Sequence, residues 1–425
     1  MHQRSFSLPG SNSSTVKSHN LRAILLMLLH HEQISRAHLA ELTGLSTTTI
    51  SNQIAELLQQ GIVSEEGTED RPARRGAGRP RTALSLVPQA RFAVGIHIGV
   101  GSVQAAVTDL RARILAHHRF DHTLDMPAEE VLVRMAHLTE TAIADSGVRR
   151  EHIVGVGVGA SGLVNPDTGV NLLAPNLGWR EVHIGEYLTG QLDLPVCVDN
   201  NVRAMALGEA MFGAARGTRV SAFVYARIGV GAGLVIDGRL YRGPGAGAGE
   251  IGHITLMADN GLPCRCGNTG CLETLVSEPA ILRIAAELAA KNPHSLLAQK
   301  LSQNGTSPID QVFEAAREGD PLTRQMLQEQ SRYMGIALAN LVNILNPELI
   351  LMGGIFAQGA DLLLPTVEET VHQTAFSDLG RRVRIQPTSF GRRAGVTGSA
   401  ALALSAFFYQ QDLLPQAYFV PEVTP

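Results

Sequence analysis

The sequence predicts an α/β protein in which an N-terminal winged helix-turn-helix precedes a two-lobed body. Three observations carry this. Residues 16–88 show helical apolar spacing, then two short strands around an arginine-rich loop. Past Pro88, β-type apolar runs alternate with helical stretches, the pattern of sheets covered by helices. Two segments of that second region also echo each other: IHIGVGSVQAAVTDL at 96–110 and ARIGVGAGLVIDGRL at 226–240. Each reads as strand, glycine turn, strand, polar turn, which predicts two related halves around a cleft.

Composition sets the frame. A chain of 425 residues has length for two or three cores, and 44% hydrophobic with 17% charged residues is the balance of a globular protein in water. The 43 glycines cluster around the short apolar runs, as tight strand-to-helix turns require. No apolar run spans a bilayer, since LRAILLMLLH at 21–30 is too short, and the first residues lack a secretory apolar stretch. No membrane partner and a cytoplasmic location are therefore expected. Charge is uneven: residues 1–91 hold 10 basic against 7 acidic side chains, the remainder 25 against 32. A basic end on an acidic body points to a nucleic-acid reader joined to something else.

In chain order, residues 1–15 are polar and rich in Gly, Ser and Asn, and read as a disordered arm. Leu21, Ile24, Leu25, Leu28 and Leu29 give a first helix over Val16–His31. Ser35 is placed to cap a second helix, Arg36–Leu42, and Gly44 suits a left-handed turn before a third, Thr47–Gln59. Leu39, Ala40, Leu42, Leu45, Ile50, Ile54 and Leu57 form the expected core of this helix-turn-helix. The third helix then offers Ser46, Thr47, Thr48, Thr49, Ser51, Asn52 and Gln53 to phosphates and base edges in a major groove. The strands GIVSEEG and TALSLV make a wing. Between them Arg71, Arg74, Arg75, Arg79 and Arg81 fall in eleven residues without an acid, suited to an A·T-rich minor groove.

The body divides into a first lobe, 89–220, and a second, 221–410, with a tail over 411–425. Within the second, His253, Cys264, Cys266 and Cys271 give H-x10-C-x-C-x4-C. Three thiolates and an imidazole in one short loop match a tetrahedral zinc ion, and a closed four-ligand site is structural. The competing reading is buried thiols and a core histidine. Zinc-type spacing without a disulfide framework fits a reducing compartment. The fourth cysteine, Cys197 in LPVCVDN, reads as a core residue.

This order of features resembles the ROK family (repressor, open reading frame, kinase), over roughly residues 17–405. The most specific element is G-H-x10-C-x-C-G-x2-G-C-x-E, starting at Gly252. The resemblance implies an actin-like, hexokinase-like body and, for the repressor branch, the winged helix-turn-helix. It also supplies a kinase pattern against which this chain departs. The first phosphate loop, D-x-G-G-T in the kinases, is His97–Ile98–Gly99–Val100–Gly101 here. The second, G-T-G-x-G-G-G, is Arg227–Ile228–Gly229–Val230–Gly231–Ala232–Gly233. The catalytic Asp is replaced by Asn201, and an amide is no general base near neutral pH. Arg203 replaces a family Asn.

Sugar-binding groups are retained on the same resemblance. Asn176 lies in the family's N-L-G-W loop, and Glu250, His253 and Glu273 flank or join the cysteine motif. These four are expected to contact sugar hydroxyls, with Asn200 and Asn201 bonding where the base once acted and Ser161 and Gly162 lining the pocket. Surface or helix-cap positions are the alternative for the two glutamates, and Trp179 is suited to stacking on the sugar or to the core. The expected protein is a zinc-braced, sugar-responsive repressor, a homodimer or tetramer on an A·T-rich, pseudo-palindromic operator. The rival is an active sugar kinase fused to a DNA reader, with Asp199 as its only candidate base. A third reading leaves the cleft vestigial and makes a protein partner the signal.

Overall fold

The structure, a computed structural model, describes residues 13–68, 82–303, 305 and 307–409. Three helices open it: α1 (Ser13–His30), α2 (Arg36–Thr43) and α3 (Thr47–Gln59). Of the predicted arm over 1–15, residues 1–12 lie outside the described residues and Ser13–Thr15 belong to α1. Local chemistry sets the helix-turn-helix. The Ser35 hydroxyl accepts from His38 N–H to cap α2, and Gly44 closes it at φ 69°. Ser46 caps α3 by accepting from Thr49 N–H at 3.1 Å. β1 (Ile34–Ser35), β2 (Val63–Thr68) and β3 (Thr82–Leu86) form one antiparallel sheet, the base of the wing. Arg74, Arg75, Arg79 and Arg81 lie outside the described residues, as does the 411–425 tail.

Two expectations for this region fail. Leu42, assigned to the core, is 46% exposed. Gln53, assigned to the DNA-facing surface, is buried on the α3 face that carries Ile50, Ile54 and Leu57, and donates to Lys17 O at 3.2 Å. Helical spacing explains it: position 53 is three residues after 50 and four before 57.

The body begins with β4 (Phe92–Gly99), β5 (Ser102–Asp109) and β6 (Ile114–Asp121), then α4 (Ala128–Ser146) and β7 (Ile153–Ala160). A small sheet of β8 (Leu163–Asn165), β9 (Val170–Ala174) and β10 (Trp179–Val182) precedes α5 (Ile184–Leu192), β11 (Val196–Asn200) and α6 (Asn201–Phe212). The second half repeats the scheme with β12 (Val220–Ala226), β13 (Val230–Ile236) and β14 (Arg239–Tyr241). A helical segment follows: α7 (Glu273–Val276), α8 (Glu278–Lys291), α9 (Leu296–Leu301), α10 (Pro308–Arg317) and α11 (Pro321–Leu345). The chain closes with β15 (Leu349–Gly354), α12 (Ile355–Gln358), α13 (Ala360–Thr374), α14 (Leu379–Arg382), β16 (Arg384–Pro387) and α15 (Ala394–Leu404).

The internal echo is a true structural repeat. The sheets run β11-β7-β4-β5-β6 and β14-β13-β12-β15-β16. Numbered within each half, both are 3-2-1-4-5, with the first three strands antiparallel and the last two added in parallel. The echoing segments are β4–turn–β5 and β12–turn–β13.

The lobe boundary differs from the expected one. α15, placed in the second lobe, packs on α6 and on β4 and β7 of the first. It is buried on all sides, so no polar face disclosed which neighbours it takes. Small residues permit the approach: a Cβ on Gly398 would sit 2.5 Å from Ala204 O, and one on Gly157 2.0 Å from Ser399 O. Past α15, Ser405–Tyr409 continue as a wide helical turn, and the Tyr409 hydroxyl donates to Leu110 O at 2.7 Å. Ala406, Phe408 and Tyr409 of this turn share one apolar core with Ile24, Leu28, Ile34, Leu39 and Ile54 of the reader. The reader therefore sits directly on the first lobe.

Gly398→Ala is expected to lower stability by about 1–3 kcal/mol through overpacking, because the obstacle is the backbone of α6. Urea unfolding of the full chain measures it.

Candidate functional site

A cleft of about 990 Å³ lies between the lobes, and every sequence-predicted sugar residue lines it: Ser161, Gly162, Asn176, Asn200, Asn201, Glu250, His253 and Glu273. The elements explain the convergence. β11 ends at Asn200 and α6 starts at Asn201, so both asparagines sit at a strand's carboxyl end, where open α/β sheets bind ligands. Asn176 comes from the loop between β9 and β10, and Glu273 opens α7 two residues after Cys271. Trp179 is 4% exposed and belongs to the first-lobe core, which settles its alternatives.

Several of these residues also bond within the protein. Asn200 caps α6, its Oδ1 accepting from Val202 N–H at 2.8 Å and Arg203 N–H at 3.2 Å, while Nδ2 donates to Gly162 O at 2.9 Å. Its Oδ1 is thus used in the cap, while Nδ2 uses one of its two hydrogens on Gly162 O. Gly162 contributes backbone, at φ 101°, where a Cβ would meet Leu173 O at 2.5 Å. Asn201 donates through Nδ2 to Ser161 Oγ at 3.2 Å. Glu273 Oε2 accepts from Val230 N–H at 3.0 Å. Burial raises the Glu250 carboxyl above its ordinary range, with Glu273 pushing the same way and His253 and Arg203 opposing.

The four residues of the cysteine motif come together. Their ligand atoms lie within 4.8 Å of one another. His253 Nδ1 is 3.6 Å from Cys264 Sγ, and Cys266 Sγ is 3.7 Å from Cys271 Sγ. Metal–sulfur bonds of about 2.3 Å in a tetrahedron put sulfurs roughly 3.8 Å apart, so the set fits an ion. It does not fit a disulfide, which needs sulfurs about 2 Å apart. Burial pushes the Cys271 thiol up to about 12, and Cys266 and Cys264 add to the shift. A bound cation is what would hold such a group as thiolate.

His97, on β4, also lines the cleft. It is 7% exposed, burial lowers its pKa to about 4, and its ring lies flat against Gly395. It is a neutral imidazole at physiological pH. Arg227 pairs with Glu278 at 3.3 Å beside the second glycine turn.

Residues outside the expected site join it through one buried carboxylate. Asp199 Oδ1 accepts from Arg203 Nε at 2.6 Å and from Asn200 N–H at 2.7 Å, and Oδ2 accepts from Arg242 Nε at 2.8 Å. Arg203 also donates to Ala246 O at 2.6 Å in the second lobe and Val164 O at 3.4 Å in the first. Asp199 is only 2% exposed and both oxygens are engaged by cations, so it is unsuited to the proton-accepting role of the kinase alternative. The replacement of a family Asn by Arg203 was the one sequence signal for this cluster. Arg265 is a further addition: it lines the cleft and donates to Asn176 Oδ1 at 2.6 Å.

A DNA-reading winged helix seated on a two-lobed, kinase-type body defines a transcriptional regulator. The chain belongs to the ROK family, whose model matches residues 93–406, and a MarR family model matches residues 22–76. It is 30% identical over 396 residues to the xylose repressor of Caldicellulosiruptor bescii, covering 93% of this chain and 97% of that one. It superposes on a crystal structure of a ROK family transcriptional regulator, a homolog of the E. coli MLC protein. The TM-score is 0.79 at 27% identity, over 94% of this chain and 99% of that one. A ROK glucokinase from Streptomyces griseus, solved with glucose and AMPPNP, matches 73% of this chain and 98% of its own, with a TM-score of 0.65 at 29% identity. No helix among the described residues is long and apolar enough to cross a membrane.

Asp199→Asn removes the counter-charge of a guanidinium that is 2% exposed. The expected cost is about 3–5 kcal/mol, read by denaturant unfolding; a near-neutral result would mean that the cluster is not formed in solution.

Proposed function

We propose that this regulator is a repressor that binds a hexose, pentose or related sugar in its cleft without phosphorylating it. The single observation carrying this is the contrast at the start of α6. Sugar-type groups converge there, yet Asn201 holds the place of the kinase base and the neighbouring carboxylate, Asp199, is locked between two arginines. His97 at the metal-carboxylate position argues the same way. The repressor relative and the sugar-bound glucokinase support both halves of the reading.

The reader binds duplex DNA in the cytoplasm as a homodimer, or a tetramer built from dimers, on a pseudo-palindromic, A·T-rich operator. α3 presents Ser46, Thr47, Thr48, Ser51 and Asn52 at its accessible face, with Thr49 half-buried. Gln53 is withdrawn from that set, while Arg74, Arg75, Arg79 and Arg81 supply the minor-groove contact. Sugar acts by favouring one lobe arrangement over another, since a ligand that binds both equally shifts nothing. Zinc, held by His253, Cys264, Cys266 and Cys271, fixes the loop that carries Glu250 and Glu273 around the sugar.

Two measurements test these statements. Operator binding, followed with a sugar panel and paired with an ATP-consumption assay, is expected to change with one sugar while no ADP accumulates. Sugar-dependent ADP release that survives purification would return the protein to the kinases. Metal analysis is expected to find one zinc per chain, lost in Cys271→Ser together with sugar binding; a metal-free protein that still binds sugar would remove the brace.

A further inference from the structure

Arg265 stands in sequence between two members of the His/Cys cluster, Cys264 and Cys266, on the second lobe, while Asn176 belongs to the first. The 2.6 Å bond from Arg265 Nη1 to Asn176 Oδ1 therefore spans the cleft. Arginine has donors only, so the atom facing it must be the amide oxygen. That fixes which way Asn176 points. Its Nδ2 lies 3.3 Å from the point where a Cβ on Gly229 would stand, and Glu273 Oε2 lies 3.3 Å from the same point. A donor of one lobe and an acceptor of the other thus both border the space beside the bare backbone of Gly229.

We propose that Arg265 is a positioning residue that sets the hydrogen-bonding polarity of the sugar pocket, holding the Asn176 N–H groups toward the effector so that a neutral hydroxyl is accepted and an ammonium refused. The inference rests on the sugar-binding reading above. A hydroxyl both accepts and donates, which matches an N–H beside a carboxylate. A protonated amine only donates, and meets the Asn176 N–H groups as like against like. An asparagine alone is nearly symmetric under a flip of its amide, and the guanidinium removes that symmetry. Its own backbone is fixed because the residues on either side are both members of the four-residue cluster. Arg265→Glu inverts the arrangement: an acceptor-only side chain draws the Asn176 N–H groups to itself and turns Oδ1 inward, next to Glu273.

Calorimetry with D-glucose, D-xylose and the mono-amino-deoxy analogues of glucose tests this on the full-length protein. Arg265→Glu is expected to weaken the best neutral sugar about tenfold and to move the preference toward one amino analogue by a similar factor. Arg265→Lys, which keeps a donor, is expected to retain the wild-type preference. Equal weakening of neutral and amino sugars in Arg265→Glu would reduce Arg265 to a structural contact and overturn the proposal. A second arm needs no sugar: the melting-temperature losses of Arg265→Ala and Asn176→Ala are expected to be non-additive in the double variant, and strict additivity would also overturn it. A wild-type protein that binds none of these sugars overturns the sugar reading itself, and the polarity assignment with it; intact binding with an unchanged preference overturns only the assignment.

Discussion

The Asp199 carboxylate is the constraint on which the cleft depends. Buried charge is tolerated only when it is paired and its remaining lone pairs are satisfied. Here one oxygen takes the Arg203 guanidinium and the Asn200 N–H, and the other takes Arg242 from across the cleft. Arg203 also reaches Ala246 O and Val164 O, so one ionic cluster joins both lobes and fixes where α6 begins. Asn200 and Asn201 inherit their positions from it. A carboxylate so occupied has a structural task.

The cysteine motif is the second organising centre, and its influence reaches beyond its four ligand atoms. His253 turns Nδ1 to Cys264, which leaves the opposite nitrogen of the ring for the cleft side. Cys271 precedes Glu273 by two residues, and Cys264 and Cys266 flank Arg265. Glu250 stands three residues before His253, at the start of a short helical turn. Glu250, Arg265 and Glu273, which line the cleft, are thus each within three residues of a member of the His/Cys cluster. A loop of this composition, with Gly, Pro and Asn between its ligands, has little order of its own.

What the sequence disclosed was mainly local. The cap at Ser35 and the left-handed Gly44 are decided by neighbours in the chain, and they stand where they were expected; the cap at Ser46 is equally local. The strand–turn–strand echo was legible because both copies keep their glycines, and it became two sheets of identical strand order. The misses are tertiary. Nothing in an evenly apolar α15 names the lobe it joins, and only the packing of Gly398 against α6 settles it. Asn200 lies in the cleft lining as expected, but its position at a helix start also commits Oδ1 to capping, which composition did not disclose. Gln53 was an avoidable error, since its spacing from Ile50 and Leu57 already put it on the apolar face. Arg242 and Arg265 had no local signature, because their partners lie in the opposite lobe.

The apolar core shared by the reader and the end of the chain bears on how the two parts communicate. Between Leu86, the last residue of the wing, and Phe92, the first of the body, lie only five residues, and Pro88–Ala90 form a helical turn. Flexible tethers position a domain statistically, with a spread that grows with linker length. A reader clamped by Ile24 and Leu28 against the Tyr409 end of the chain is positioned by side-chain contact, with little tether entropy to lose. In a dimer, the distance between two such readers is a property of how the bodies pair. Half-site spacing is then encoded in packed surfaces far from the DNA.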